Sequence, residues 1–271
     1  MLLRMQLDRV LIMGVVNVTP DSFSDGGRYL DAGAAIAHGL QLLRDGADLL
    51  DVGGEATNPR ATPTAAAEEL RRVLPVVEAL VAAGATVSID TTKAVVASAA
   101  VAAGARIVND VSGGRFDPGM GAAVAATDAT YIAGHLRGRS LAEVFASEAP
   151  ASWREVAAEL DAALAALPGE LRGRTWVDPG VGFGKGADPE GNLDLLRHAG
   201  DLGRALGCPV VVGPSRKRFL KTLLGGAEPD LLDLDAASVA ACLAAARAGA
   251  RVLRVHNVAL LRPALTVYTK L

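Results

Sequence analysis

The chain has 271 residues, 51% of them hydrophobic but only 4% aromatic, and a formal net charge of -3. Its core must therefore be built from Ala, Val and Leu, and the charge excludes a general polycation for nucleic acid or an anionic membrane, so any anion site is local. No run approaches ~18 uninterrupted apolar residues, and Arg4, Asp8 and Arg9 break the apolar N-terminus as no signal peptide would, which predicts a soluble, cytoplasmic chain without membrane contact.

The first predicted element is an apolar strand, VLIMGVVN, followed after Val18 by the polar stretch TPDSFSDGG from Thr19 to Gly27. A loop of that length needs a reason beyond connection, and a lid hinged at Pro20, Gly26 and Gly27 is the expectation. A unit then recurs along the chain: RDGADLLDVGG from Arg44, AAGATVSIDT from Ala82, AAGARIVNDVSGG from Ala102, LGCPVVVGPS from Leu206 and ARAGARVLRVHN from Ala246. In each, an Ala- or Leu-rich helical stretch stops at a glycine suited to the left-handed position after a helix, and a short β-branched run follows. TYIAGH from Thr130 and RTWVDPGVGFGK from Arg174 end in the same way.

About eight strands alternating with helices, nearly continuous in apolar residues, fit either a doubly wound sheet or a closed barrel. Eight units in ~270 residues with no composition break predict a (β/α)8 TIM barrel forming a single domain over residues 1–271. The strands end in Asp51, Asp90, Asn109, Gly213 and His256, among others, and in a barrel those ends share the face that carries chemistry. An Asp or Asn after a strand also serves to cap the next helix, but helix capping cannot account for so many converging ends. Cys208 and Cys242, far apart in apolar surroundings, read as buried thiols of a reducing compartment, not as a disulfide or metal pair.

Two clusters are cationic. SRKRFL, Ser215 to Leu220, follows VVVG and is predicted to open a helix with Ser215 as its N-cap, making an anion-binding start from free N–H groups, Arg216, Lys217 and Arg218. In RVHN, alternation puts Arg254 and His256 on one side, completing a cationic arc suited to phosphate or diphosphate. Asp90, Asn109 and Asp178 offer two carboxylates and an amide among apolar walls, a donor and acceptor set for the edge of an aminopyrimidine-like heterocycle. Paired carboxylates also serve glycosidases and hard metals, but a metal cage wants more oxygens nearby and a sugar cleft more aromatic residues.

VNVTPDSFSDGG, DVGGEAT, SIDT, VNDVSGG, DPGVGFGK, GPSRKRFL and LRVHN stand in one order along the chain, and together they resemble the dihydropteroate synthase family of pterin-binding folate enzymes over nearly its whole length. The resemblance implies a barrel, usually a homodimer, that joins 7,8-dihydropterin-6-ylmethyl diphosphate to 4-aminobenzoate with Mg2+ present. It implies that Asp90, Asn109, Asp178 and Lys217 hold the pterin, and that Asn17, Arg254 and His256 bind diphosphate, with Asn17 also the ligand of Mg2+. It implies further that Phe183, Lys217 and Ser215 line the aminobenzoate pocket, with Thr57 and Gly213 completing the substrate-binding set. Asn17, Asp21, Lys217, Arg254 and His256 form the catalytic set by the same resemblance.

The chain departs from the family pattern at Asn58, Pro59 and Arg60, where an arginine before the proline is usual, from Gly186 to Asn192, around His135, and at Asn257, where an aspartate is usual. A pterin-binding paralogue without catalysis and a methyltetrahydrofolate-type methyltransferase are the alternatives. The methyltransferase leaves SRKR and RVH without a diphosphate to bind.

Overall fold

In a computed structural model the chain is described at residues 9–18, 28–57, 63–146, 150–185, 188–225 and 229–271. Asp21 and the predicted lid from Thr19 to Gly27, the departures at Asn58, Pro59 and Arg60, and Gly186 and Ala187 lie outside the described residues.

The elements run β1 (Leu11–Asn17), α1 (Arg28–Arg44), β2 (Leu49–Gly53), α2 (Ala66–Ala82), β3 (Val87–Asp90), α3 (Ala94–Ala102), β4 (Ile107–Asp110) and α4 (Met120–Ala125). They continue with β5 (Thr130–Gly134), α5 (Leu141–Ala146), α6 (Trp153–Ala165), β6 (Thr175–Asp178), α7 (Glu190–Arg197) and α8 (Ala199–Leu206). The last are β7 (Val211–Val212), α9 (Arg218–Leu223), α10 (Leu231–Arg247), β8 (Val252–Val255) and α11 (Val258–Tyr268).

Every strand pair is parallel, in the order β6-β5-β4-β3-β2-β1-β8-β7. A bridge between Val177 and Val210, with Val177 N–H donating to the Pro209 carbonyl at 2.9 Å, joins the two ends into a TIM barrel. That seam is short because Pro209 has no N–H to extend a ladder and fits only at a strand's start. The helix-stopping glycines behave as their sequence context predicts: Gly46, Gly84, Gly104, Gly207 and Gly249 all have positive φ, where a Cβ would be strained.

The pleat divides the core in two. Outward strand residues pack on the helices in one large cluster, whereas Leu11, Met13, Leu49, Ile107, Ile132, Trp176, Val211 and Val252 form a separate buried cluster inside the barrel. This plug removes water from the lower lumen, each fully buried aliphatic side chain contributing roughly 1.5–3 kcal/mol. Cys242 is buried and free; Cys208, expected to be buried too, is half-buried and free.

Candidate active site

Side chains on a strand return to the same face every second residue, and the polar residues stand two places after the apolar plug. Leu49 is followed by Asp51, Ile107 by Asn109, Trp176 by Asp178, Val211 by Gly213 and Val252 by Arg254. The register sets Asn17 beside Gly53, Gly53 beside Asp90 and Asp90 beside Asn109, with Gly134 beside Asp178 farther round. The lumen thus changes from apolar floor to polar layer at the C-terminal ends of the strands, the face where barrel enzymes do chemistry.

The polar layer is bonded around Arg254. Its Nε donates to Asp51 Oδ2 and its Nη2 to Asp90 Oδ2, both at 2.6 Å. Asp51 Oδ2 also accepts from Asn109 Nδ2 at 3.0 Å, while Asp51 Oδ1 is buried with no partner among the described residues. Burial, with Asp51 and Glu69 nearby, pushes Asp90 up to about 7 against the pull of Arg254. Burial raises Asp178 as well, although Gly180 N–H donates to its Oδ1 at 2.8 Å. Burial and the neighbouring Arg254 push Lys217 down to about 8. Three carboxylates are thereby held beside two cations in a low-dielectric floor, where an arriving N–H donor or anion interacts far more strongly than in water.

Lys217 and Phe183 meet from different loops, the Lys217 Nζ lying 3.7 Å from the ring centroid, a cation–π distance. Ser215 and His256 are joined by Ser215 Oγ to His256 Nδ1 at 2.9 Å, and the His256 backbone N–H donates to the same hydroxyl at 3.2 Å. Asn17 is exposed at the end of β1, and Thr57 is half-buried beyond β2.

Three expectations need correction. Ser215 does not cap a helix, because α9 begins at Arg218 with Lys217 at its N-cap and no side-chain cap. Its hydroxyl bonds to His256 instead, and the helix starts later than expected, at Arg218. Nor is the cationic arc continuous. Arg216, at φ 59, turns away and donates bidentately to Asp235 at 2.7 and 2.9 Å. Burial, with Arg216, Arg254 and Lys217 around it, pushes His256 down to about 3, so it offers a neutral ring and not a charge.

Some functional partners carried no separate signal in the sequence. Asp51, in the middle of β2, read only as one polar residue among the strand ends, and its bonds to Arg254 and Asn109 are what mark it as part of the site. Lys93 joins Glu55 and Glu69 at 2.6 Å each, and Glu55 Oε1 accepts from Thr64 N–H at 2.7 Å, which anchors both ends of the segment after β2. Lys185 and Glu159 meet across His135, and a glutamate in the middle of α6 looks like any solvated helix residue.

Such a barrel, with an apolar floor and a polar rim of carboxylates, amide and cations, has the build of a barrel enzyme with its site at the C-terminal ends of the strands. The sequence profile described as pterin binding enzyme matches residues 13–256. A dihydropteroate synthase of Mycobacterium leprae is 46% identical over 263 residues, covering 94% of this chain and 90% of that protein. The solved Xanthomonas albilineans dihydropteroate synthase with 4-aminobenzoic acid is 45% identical at a TM-score of 0.86, covering 97% and 94% of the two chains. The same enzyme in complex with 7,8-dihydropteroate is 44% identical at a TM-score of 0.81, again covering 97% and 94%. The chain belongs to the dihydropteroate synthase family of pterin-binding enzymes. Its activity is that of a dihydropteroate synthase, a transferase of folate biosynthesis.

Proposed function

We propose that residues 1–271 form one pterin-binding barrel domain in which the strand-end layer holds both substrates for a single displacement. The observation that carries this reading is the chain Asn109–Asp51–Arg254–Asp90, which fixes an amide and a carboxylate side by side above a dry floor. Asp90, Asn109 and Asp178 accept and donate along the aminopyrimidine edge of the pterin, and Lys217 donates to it. Asn17, Arg254 and His256 face the diphosphate. Nη1 of Arg254, which has no partner among the described residues, is the edge left for it, and neutral His256 contributes a hydrogen bond. Phe183, Lys217 and Ser215, with Thr57 and Gly213, line the aminobenzoate side.

In the displacement the bond from the pterin methylene to the diphosphate oxygen breaks, the electron pair leaving with oxygen, and a bond to the arylamine nitrogen forms. The nitrogen then loses a proton to solvent. Asp90 and Asp178 stabilise positive charge that grows on the methylene and the conjugated ring, and Arg254 stabilises negative charge on the leaving group. The amine is neutral at pH 7 and needs positioning more than activation. Burial of the polar layer excludes water that would otherwise capture the same carbon.

Mg2+ fits this donor set as an ion carried in by the diphosphate. Asn17 places a hard amide oxygen at the mouth, and no trio of His, Cys, Asp or Glu suited to an all-protein site occurs among the described residues. When bound it supplies neutralisation of diphosphate charge, with Asn17 as its protein ligand and Asp21 close to it in sequence.

A homodimer is supported by Leu223 and Leu224 at the end of α9 and Leu231 and Leu232 at the start of α10, all exposed. No helix among the described residues is long and apolar enough to cross a membrane. The free thiols support a cytoplasmic location.

Titration calorimetry with the pterin diphosphate tests the site. Asp90→Ala leaves a buried N–H edge without its acceptor, a loss of ~1–3 kcal/mol, or about fivefold to 150-fold in affinity. Unchanged affinity would show that the pterin lies elsewhere. Diphosphate release on mixing both substrates with Mg2+ then reports whether the same variant loses turnover.

A further inference from the structure

One buried cation plays no part in that displacement. Lys185 ends the DPGVGFGK segment and is 2% exposed. Its Nζ donates to His135 Nδ1 at 2.9 Å and to the Phe183 carbonyl at 3.1 Å, and approaches the His135 carbonyl at 3.5 Å. With Nδ1 accepting, the His135 proton sits on Nε2, which donates to Glu159 Oε2 at 2.9 Å. Glu159 is held in turn by Arg137, whose Nη2 donates to its Oε1 at 2.6 Å. The relay crosses from the loop after β6, through the end of β5, to the middle of α6.

The loop needs such a tie. Gly180, Gly182 and Gly184 all have positive φ, so the segment between Asp178 and Lys185 has wide backbone freedom when unrestrained. Its other bonds, Gly180 N–H to Asp178 Oδ1, Phe183 N–H to the Gly180 carbonyl and Gly182 N–H to Asn192 Oδ1, tie it to itself and to α7. The Lys185 ammonium links the peptide of Phe183 itself to the neighbouring strand end.

We propose that Lys185, held by His135 and Glu159, is a positioning residue that fixes the Phe183 ring against Lys217 and so shapes the aminobenzoate side of the site. The proposal rests on the assignment of Phe183 to that pocket. Burial, with Arg137 and Lys217 adding to it, pushes Lys185 down to about 7, and burial with Lys185 beside it pushes His135 down to about 4. A neutral imidazole is what lets Nδ1 accept, so the charges agree with the geometry.

Steady-state kinetics on Phe183→Ala, Lys185→Met, the double variant and Glu159→Ala test this. Lys185→Met should raise KM for 4-aminobenzoate about tenfold, leave kcat within threefold, and leave the calorimetric Kd for the pterin diphosphate within twofold. Acting through Phe183, it should add nothing further in the double variant. Should Lys185→Met fail to fold, Glu159→Ala, at a side chain 32% exposed, carries the test with about a threefold rise in the same KM.

If Phe183→Ala raises KM while Lys185→Met or Glu159→Ala leaves it unchanged, or if the losses add in the double variant, the positioning role is wrong. A parallel loss of pterin affinity would also overturn it, by showing general loosening. An unchanged KM in Phe183→Ala overturns the pocket assignment itself, whatever Lys185 does.

Discussion

His256 follows β8 and His135 follows β5, and each is held neutral by burial and nearby cations. Their folded values, about 3 and about 4, lie below the ~6.5 of an exposed imidazole, so the unfolded chain binds more protons. The stability they contribute is therefore full above pH ~6.5 and is lost as pH falls through that value toward 4 and 3. Heteronuclear NMR of the imidazoles should find neither ring titrating between pH 5 and 8; a midpoint near 6.5 for His256 would remove its neutral hydrogen-bonding role. Asn257 explains one departure from the family pattern at the same scale. Its Oδ1 accepts from Leu260 N–H at 3.0 Å and caps α11, as an aspartate would. Its Nδ2 also donates to Asp235 at 2.9 Å, beside the Arg216 pair, where a second carboxylate would be repelled.

At the scale of elements, the loop after β6 is built around backbone that passes against the end of β5. A Cβ on Gly180 would stand 1.9 Å from the His135 carbonyl oxygen, at a φ of 71. Neither strand end can give way, because both are in the barrel ladder. Gly180→Ala should therefore lower stability by about 2–4 kcal/mol, combining left-handed strain of ~1–2 kcal/mol with a backbone clash. Guanidinium unfolding measures it, and a loss under ~0.5 kcal/mol would mean that the loop does not hold this conformation.

At the scale of the molecule, the apolar plug and the polar layer need each other: the plug excludes water from beneath the ion pairs, and the strands that carry it set their register. The outer surface adds a second apolar feature at the α9 to α10 corner, where Leu232 is 67% exposed. Leu231→Glu with Leu232→Glu should convert a dimer to a monomer in sedimentation velocity, leaving the ellipticity of the fold unchanged. A wild-type chain that sediments as a monomer at micromolar concentration would overturn the dimer.

Sequence pattern determined the barrel: about eight apolar runs, five of them after glycine-stopped helices, with no composition break along the chain, have few other ways to bury both faces of each strand. It also determined which residues face the lumen, since Asp90, Asn109, Asp178 and Arg254 each fall on the inward parity of their own strand. Tertiary structure alone decided their partners. Arg254 pairs with Asp51 and Asp90 across separations of 203 and 164 residues, and no local pattern encodes a contact closed only when the barrel closes. For the same reason the basic run Arg216–Lys217–Arg218 read as one cluster, although folding sends Arg216 to Asp235 and Lys217 to Phe183. Charge on a residue is local information. Whether it faces a ligand, an ion-pair partner or a ring depends on which elements pack around it, and burial then decides whether the charge survives, as it does for Arg254 and does not for His256.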